Sequence, residues 1–110
     1  MSRLRDVSLS VGVIVCAAGA GPAAARNWVV TIEQMRFAPP TLTVHRGDTV
    51  VWVNKDLVAH TVSTDARGFD SGSIAPDASW RYVVSGSGRQ PYTCRFHPTM
   101  HGTLIVEPTP

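Results

Sequence analysis

The stretch from Tyr92 to Gly102, YTCRFHPTMHG, constrains the fold more than any other part of the chain. It places Cys94, His97 and Met100 at a Cys-x2-His-x2-Met spacing within one short loop. A thiolate, an imidazole and a thioether together suit copper better than any hard cation, because sulfur is polarizable and imidazole binds both oxidation states of copper. A redox site of this composition takes two His and one Cys in a plane with a weak, distant Met on its axis, so a second histidine has to come from elsewhere. His60 is the leading candidate. It lies 34 residues before Cys94 and just beyond the strand-like run Thr49-Val-Val-Trp-Val-Asn54, so only a folded sheet brings it to the loop.

The loop resembles the C-terminal ligand loop of the cupredoxins, the small blue-copper proteins, and its short spacing is most similar to their amicyanin- and plastocyanin-like bacterial subgroup. FAPPTLTVHRGDTVVWVNKDLVAHTV (Phe37 to Val62) and FDSG (Phe69 to Gly72) resemble the rest of that family's pattern, so the likeness covers nearly all of the chain after about residue 28. The resemblance implies one type 1 copper ion held by His60, Cys94, His97 and Met100. Both histidines then bind through the ring nitrogen nearer the backbone, and the edge of His97 serves as the electron port. An apolar collar of Met35, Pro39, Ala59, Pro98 and Thr99 is expected around it. The resemblance further implies that His97 leaves reduced copper when protonated, so that acidity raises the potential.

Two departures from the family pattern stand out. Many cupredoxins carry Asn after the first histidine ligand, where it ties the two ligand loops together, and this chain has Thr61 there, with Thr93 as its candidate partner. Arg95 and Phe96 add charge and bulk to the loop, so docking partners do not transfer from any relative.

The N-terminal quarter differs from the rest. Met1 to Ala25 combines a basic start (Arg3, Arg5), an apolar stretch from Val7 to Ala20 and Ala23-Ala24-Ala25, the layout of a secretory signal with a small-x-small cleavage site. The apolar run is interrupted by Ser8, Ser10, Gly12 and Gly19 and is too short for a persuasive membrane span, which disfavours an uncleaved anchor. Cys16 sits inside that run behind a branched Val15, which argues against a lipoprotein site. The expected organisation is therefore a signal peptide over residues 1–25 and one cupredoxin domain over 26–110. Export to the periplasm follows, or outside the cell where there is no outer membrane, with no membrane attachment after cleavage.

Cleavage leaves Cys94 as the lone cysteine. It has no internal disulfide partner, so it is a free thiol, a link between chains or a metal ligand. A lone Cys in a small β domain is usually a buried hydrophobe, but a His three residues on and a Met three further reverse that default. His45, beside the turn Arg46-Gly47-Asp48, needs no explanation beyond exposure. His101 directly follows Met100, which puts it near the site's edge with a role in tuning the copper potential or binding a partner left open, but neighbouring residues entering a strand point to opposite faces, which leaves it outside the ligand set. Charge is nearly balanced: without Arg3, Arg5 and Asp6, eight Lys or Arg stand against seven Asp or Glu, from 10 and 8 in the whole chain. That excludes a polybasic nucleic-acid surface.

The remaining pattern is β throughout. Strands are predicted over 28–35, 41–45, 49–53, 60–63, 69–73 and 80–84, then from Tyr92 into the ligand loop and over 102–106, separated by Pro39-Pro40, Arg46-Gly47-Asp48 and Ser85-Gly86-Ser87-Gly88. Seven or eight short strands with frequent turns predict an all-β, antiparallel Greek-key β-sandwich. No general acid-base pair or nucleophile constellation is visible, so an enzyme is not expected. The expected function is a soluble, monomeric one-electron carrier docking transiently with redox proteins such as a periplasmic dehydrogenase or a c-type cytochrome. The rivals are a periplasmic copper-binding protein for storage, delivery or resistance, and an interaction module that kept the sandwich and lost the metal. The first would be richer in Met or His clusters, and the second would not retain four ligands.

Overall fold

Thr49–Asn54 alternates half-buried with buried residues, as a strand with one face on a core must. In the computed structural model, which describes residues 24–65 and 68–108, this is β4, with Trp52 fully buried at its centre. The other strands are β1 (Asn27–Glu33), β2 (Arg36–Ala38), β3 (Thr41–His45), β5 (Ser79–Val83), β6 (Gly88–Thr93) and β7 (His101–Glu107). They form one four-stranded sheet in the order β2-β1-β4-β5 and one three-stranded sheet in the order β3-β7-β6. The predicted all-β sandwich is the observed fold. The predicted leader lies outside the described residues except for Ala24 and Ala25.

The sheets are mixed rather than wholly antiparallel. β1 runs parallel to β4 and β3 runs parallel to β7, while β1–β2, β4–β5 and β6–β7 are antiparallel. Alternation along a strand reveals which face is buried but not the direction of its neighbour, so the sequence carried no signal for these two pairings.

Three local expectations are corrected. The strand predicted over 28–35 ends at Glu33, because Gln34 and Met35 form a hairpin turn at φ 55° and 58° and the chain returns as β2. Left-handed backbone at two non-glycine residues lacks the usual Asn-Gly signal. It is supported from outside, by the Asp56 carboxylate, which accepts the amides of Gln34 (2.7 Å) and Met35 (3.0 Å). The strands predicted over 60–63 and 69–73 are reduced to single bridges, His60 to Ile74 and Ser63 to both Asp70 and Thr93. Finally, β6 begins at Gly88 and contains Pro91, which the ladder tolerates because β6 is a sheet edge.

Val30, Ile32, Val44, Val50, Trp52, Val62, Leu104 and Val106 fill the space between the sheets, together with Phe37, Phe69 and Tyr92. Each such aliphatic side chain contributes about 1.5–3 kcal/mol on burial. Trp52 donates from Nε1 to the Tyr92 hydroxyl at 3.2 Å, so the core's largest residue is tied to the strand that delivers Cys94. Burial pushes the Tyr92 phenol up to about 12 against the lowering effect of that indole donor, which keeps it neutral.

At the pole bearing the Arg46-Gly47-Asp48 turn, the buried Asp48 carboxylate accepts the Arg26 amide (2.9 Å), the Trp28 indole (2.9 Å) and the His45 amide (3.0 Å). This fastens the start of β1 to the β3–β4 turn and leaves the ends that carry Asn54, Thr93 and His101 free to build a site.

Candidate metal centre

The ligand loop is built from its own ligands. His97 donates its amide to the Cys94 carbonyl (3.2 Å), Met100 donates to His97 (2.9 Å), and Cys94 donates to Met100 (3.3 Å). The Cys-x2-His-x2-Met spacing is thus two successive turns whose corners are Cys94, His97 and Met100, closed into a circuit by a third backbone bond. Two residues between ligands is what an i to i+3 turn requires.

His60 enters from the other sheet. Its amide donates to Ile74 O at 3.1 Å and its carbonyl accepts the Ile74 amide at 2.7 Å, which pins the segment after β4 in extended geometry. Its ring is fully buried. Nδ1 of His60 stands 3.7 Å from Cys94 Sγ, and Nδ1 of His97 stands 3.8 Å from it. Among the described residues these three are the His, Cys, Asp or Glu side chains that converge, with ligand atoms all within 4.8 Å of one another.

Those spacings fit one first-row metal ion. Two ligand atoms about 2.1 and 2.3 Å from a shared ion at a trigonal angle stand roughly 3.8 Å apart. The thiolate and imidazole donors select copper over hard cations, and a type 1 copper ion is the cofactor this set fits. Met100 is buried at the third corner of the loop, and His97 is half-buried. The structure turns the backbone-side nitrogen of each histidine toward the thiol, as the resemblance implied.

Three groups around the ligands were not singled out from sequence. Asp56 Oδ2 lies 2.8 Å from His60 Nε2. Burial raises the Asp56 pKa, but the amides of Met35 and Gln34 and the His60 ring outweigh it and hold the carboxyl below its ordinary value. An ionised carboxylate only accepts, so His60 donates from Nε2 and keeps the Nδ1 lone pair for a metal. An acid four residues before a ligand histidine was the available signal. The other two are Ser63 and Asp70, which join Thr61 and Arg95 in a hydrogen-bonded ring.

Thr61 donates its amide to Cys94 Sγ at 3.2 Å, and its hydroxyl accepts the Arg95 amide at 2.8 Å. The expected partner, Thr93, is not the one Thr61 Oγ1 takes: that oxygen is bonded to the Arg95 amide and Ser63 Oγ, while the backbone of Thr93 exchanges two bonds with Ser63 at 2.8 and 2.9 Å. His45 lies on β3 with Glu107 3.6 Å away, and His101 is exposed at the start of β7; neither joins the cluster. Of the expected collar, Met35, Pro39, Pro98 and Thr99 are exposed and Ala59 is half-buried, while the ligand-bearing loops also expose Leu57 (93 % exposed) and Phe96 (53 %).

Comparison with known proteins agrees with this geometry. The cupredoxin-like domain family matches residues 7–106. The chain is 32 % identical to amicyanin of Paracoccus versutus over 84 residues and 40 % identical to plastocyanin of Synechococcus sp. over 83, in each case over 72 % of this chain. It spans 64 % and 61 % of the lengths of those relatives, a little under two thirds. A solved amicyanin variant in its oxidised state superposes with a TM-score of 0.70 at 29 % identity, covering 74 % of this chain and 82 % of that one. A Cu(I) form of another variant gives 0.69 at 27 %, covering 82 % and 89 %. By its sheet order, its ligand geometry and these likenesses, the chain belongs to the cupredoxin-like family.

Proposed function

We propose that this protein is a one-electron carrier that holds a single copper ion with His60, Cys94, His97 and Met100. The observation that carries the reading is the convergence of a buried cysteine sulfur and a buried imidazole with a second imidazole, His97, that reaches the surface. Bound copper supplies a Cu(II)/Cu(I) couple, gaining one electron from a donor protein and returning it to an acceptor. The protein's residues keep the donor atoms still. Asp56 fixes the His60 ring, the Thr61 amide is held at Cys94 Sγ, and the three-bond backbone circuit fixes the loop. Donor atoms fixed from outside change little when an electron arrives, and small rearrangement gives fast transfer. The protein makes and breaks no bond in a substrate, so it is a carrier and not an enzyme.

The loops that carry the ligands also carry exposed Leu57, Val58 and Phe96. Exposed apolar side chains beside a surface Arg95–Asp70 pair favour brief docking, in which release matters more than affinity. Partners of the kind that suit it are redox proteins such as a periplasmic dehydrogenase or a c-type cytochrome, met by a monomer freed by cleavage after residue 25. Protein-film voltammetry of the copper-loaded mature chain tests this. A reversible one-electron wave with rapid interfacial exchange supports the carrier. Slow, irreversible transfer accompanied by copper loss contradicts it.

A further inference from the structure

The two ligand-bearing segments are joined by a ring of hydrogen bonds that ends on a carboxylate. Thr61 Oγ1 lies 3.0 Å from Ser63 Oγ, Ser63 Oγ donates to Asp70 Oδ1 at 2.9 Å, and Arg95 Nη2 reaches Asp70 Oδ2 at 3.0 Å. The Arg95 amide, bonded to Thr61 Oγ1 at 2.8 Å, closes the circuit. Thr61 and Ser63 are buried, while Asp70 and Arg95 lie at the surface.

Proton counting fixes the direction of every bond. Asp70 is held below the ordinary carboxylate range, first by the Gly72 amide and the Ser63 hydroxyl and further by Arg95, so it is an acceptor only. Ser63 has one hydroxyl proton, and it goes to Asp70. The Thr61–Ser63 bond therefore takes its proton from Thr61, which leaves the lone pairs of Thr61 Oγ1 for the Arg95 amide. The chain runs one way, from the Arg95 amide through Thr61 and Ser63 to Asp70. Bonds aligned in one direction polarise one another and hold a single arrangement.

We propose that Ser63 and Asp70 are positioning residues for the Cys94 thiolate, acting through Thr61, whose own amide donates to Cys94 Sγ. Two hydroxyls and a surface carboxylate thereby do what one longer amide side chain could do alone. An ion pair between exposed groups is worth little in itself. Here the Arg95–Asp70 pair gains a role because it is the outer half of a ring whose inner half touches the ligand.

The proposal rests on the copper reading, and the test separates the two. In the metal-free mature protein, amide exchange is followed by NMR in Ser63→Ala and Asp70→Ala. The expected result is that the Arg95 amide exchanges roughly tenfold faster while the His45 amide, bonded to Asp48 at the far pole, is unchanged. In the copper-loaded protein, Ser63→Ala and Thr61→Val leave net charge untouched. Both should lower the reduction potential and shift the thiolate charge-transfer band in the same direction, and Thr61→Ser should restore both. If Ser63→Ala lowers only the melting temperature, with the Arg95 amide and the band as in the unaltered protein, the ring is merely structural and the proposal is overturned. Asp70 is exposed, so its variant tests the ring even if Ser63→Ala does not fold. An unaltered protein lacking the band sinks the copper reading, and the exchange measurement then still decides the ring.

Discussion

Asp56 Oδ2 sits 2.8 Å from Nε2 of His60, and the same carboxylate accepts the two amides of the left-handed Gln34–Met35 turn. One side chain thus orients a buried ligand and secures the hairpin whose Met35 lies beside Met100 and His101 in an open groove. Asp56→Ala removes the acceptor that holds the His60 tautomer. Copper affinity is expected to fall roughly 10–100-fold, the usual loss when an outer partner of a ligand histidine is removed. Titration against a competing chelator measures it, and faster exchange at the Gln34 and Met35 amides reports the loosened turn.

Asp48 predicts how the fold responds to acid. Burial raises its pKa, but the Arg26 and His45 amides, the Trp28 indole and the nearby His45 side chain outweigh that and lower it below the ordinary value. A carboxyl whose folded pKa is depressed contributes stability that is fully present above the unfolded value, about 3.9, and is lost as pH falls through the folded value. Asp48→Asn turns an amide toward N–H donors and should cost ~2 kcal/mol at pH 7. The difference in melting temperature between variant and unaltered protein should shrink below about pH 4. A constant difference from pH 7 to pH 2 contradicts this.

Gly102 has no room for a side chain. A methyl group built there overlaps the Tyr92 ring, which is buried against Phe37 and Trp52. Gly102→Ala is expected to destabilise the fold by about 1–3 kcal/mol through overpacking. Because Tyr92 lies two residues before Cys94, the thiolate band should shift as well. Denaturant unfolding and the visible spectrum check the two effects together.

Leu57 tests the docking face. It projects almost wholly into solvent from the loop between β4 and His60. Leu57→Asp is expected to slow bimolecular electron exchange roughly tenfold by placing a charge in an apolar contact, with the potential and spectrum unchanged. Stopped-flow mixing of the reduced protein with an oxidised c-type cytochrome reads the rate.

The candidate ligands stood out in the sequence because their spacing is local chemistry: Cys94, His97 and Met100 stand at turn spacing, and His60, which converges with Cys94 and His97, follows the most apolar strand. The surrounding strands were legible where one face alternates, as in Thr49–Asn54. The β1–β2 hairpin was not, since its turn is held by Asp56 from more than 20 residues away rather than by its own residues. The parallel pairings were hidden because alternation is blind to direction. Thr61 was visible as a departure, but the partner of its hydroxyl is the Arg95 amide rather than Thr93, a contact between residues 34 apart that no local pattern signals. The roles of Ser63 and Asp70 likewise exist only once Arg95 has been folded back over them.

In the proposed function, Cys94 is a thiolate ligand to copper in a site poised for electron transfer. The most direct test is the visible and EPR spectrum of residues 26–110 loaded with Cu(II), recorded beside Cys94→Ser. An intense blue or green charge-transfer band with narrow copper hyperfine splitting, lost in Cys94→Ser, is the predicted result. A pale, ordinary Cu(II) spectrum, or reduction to colourless Cu(I) that a chelator removes readily, contradicts the claim and points to copper handling instead.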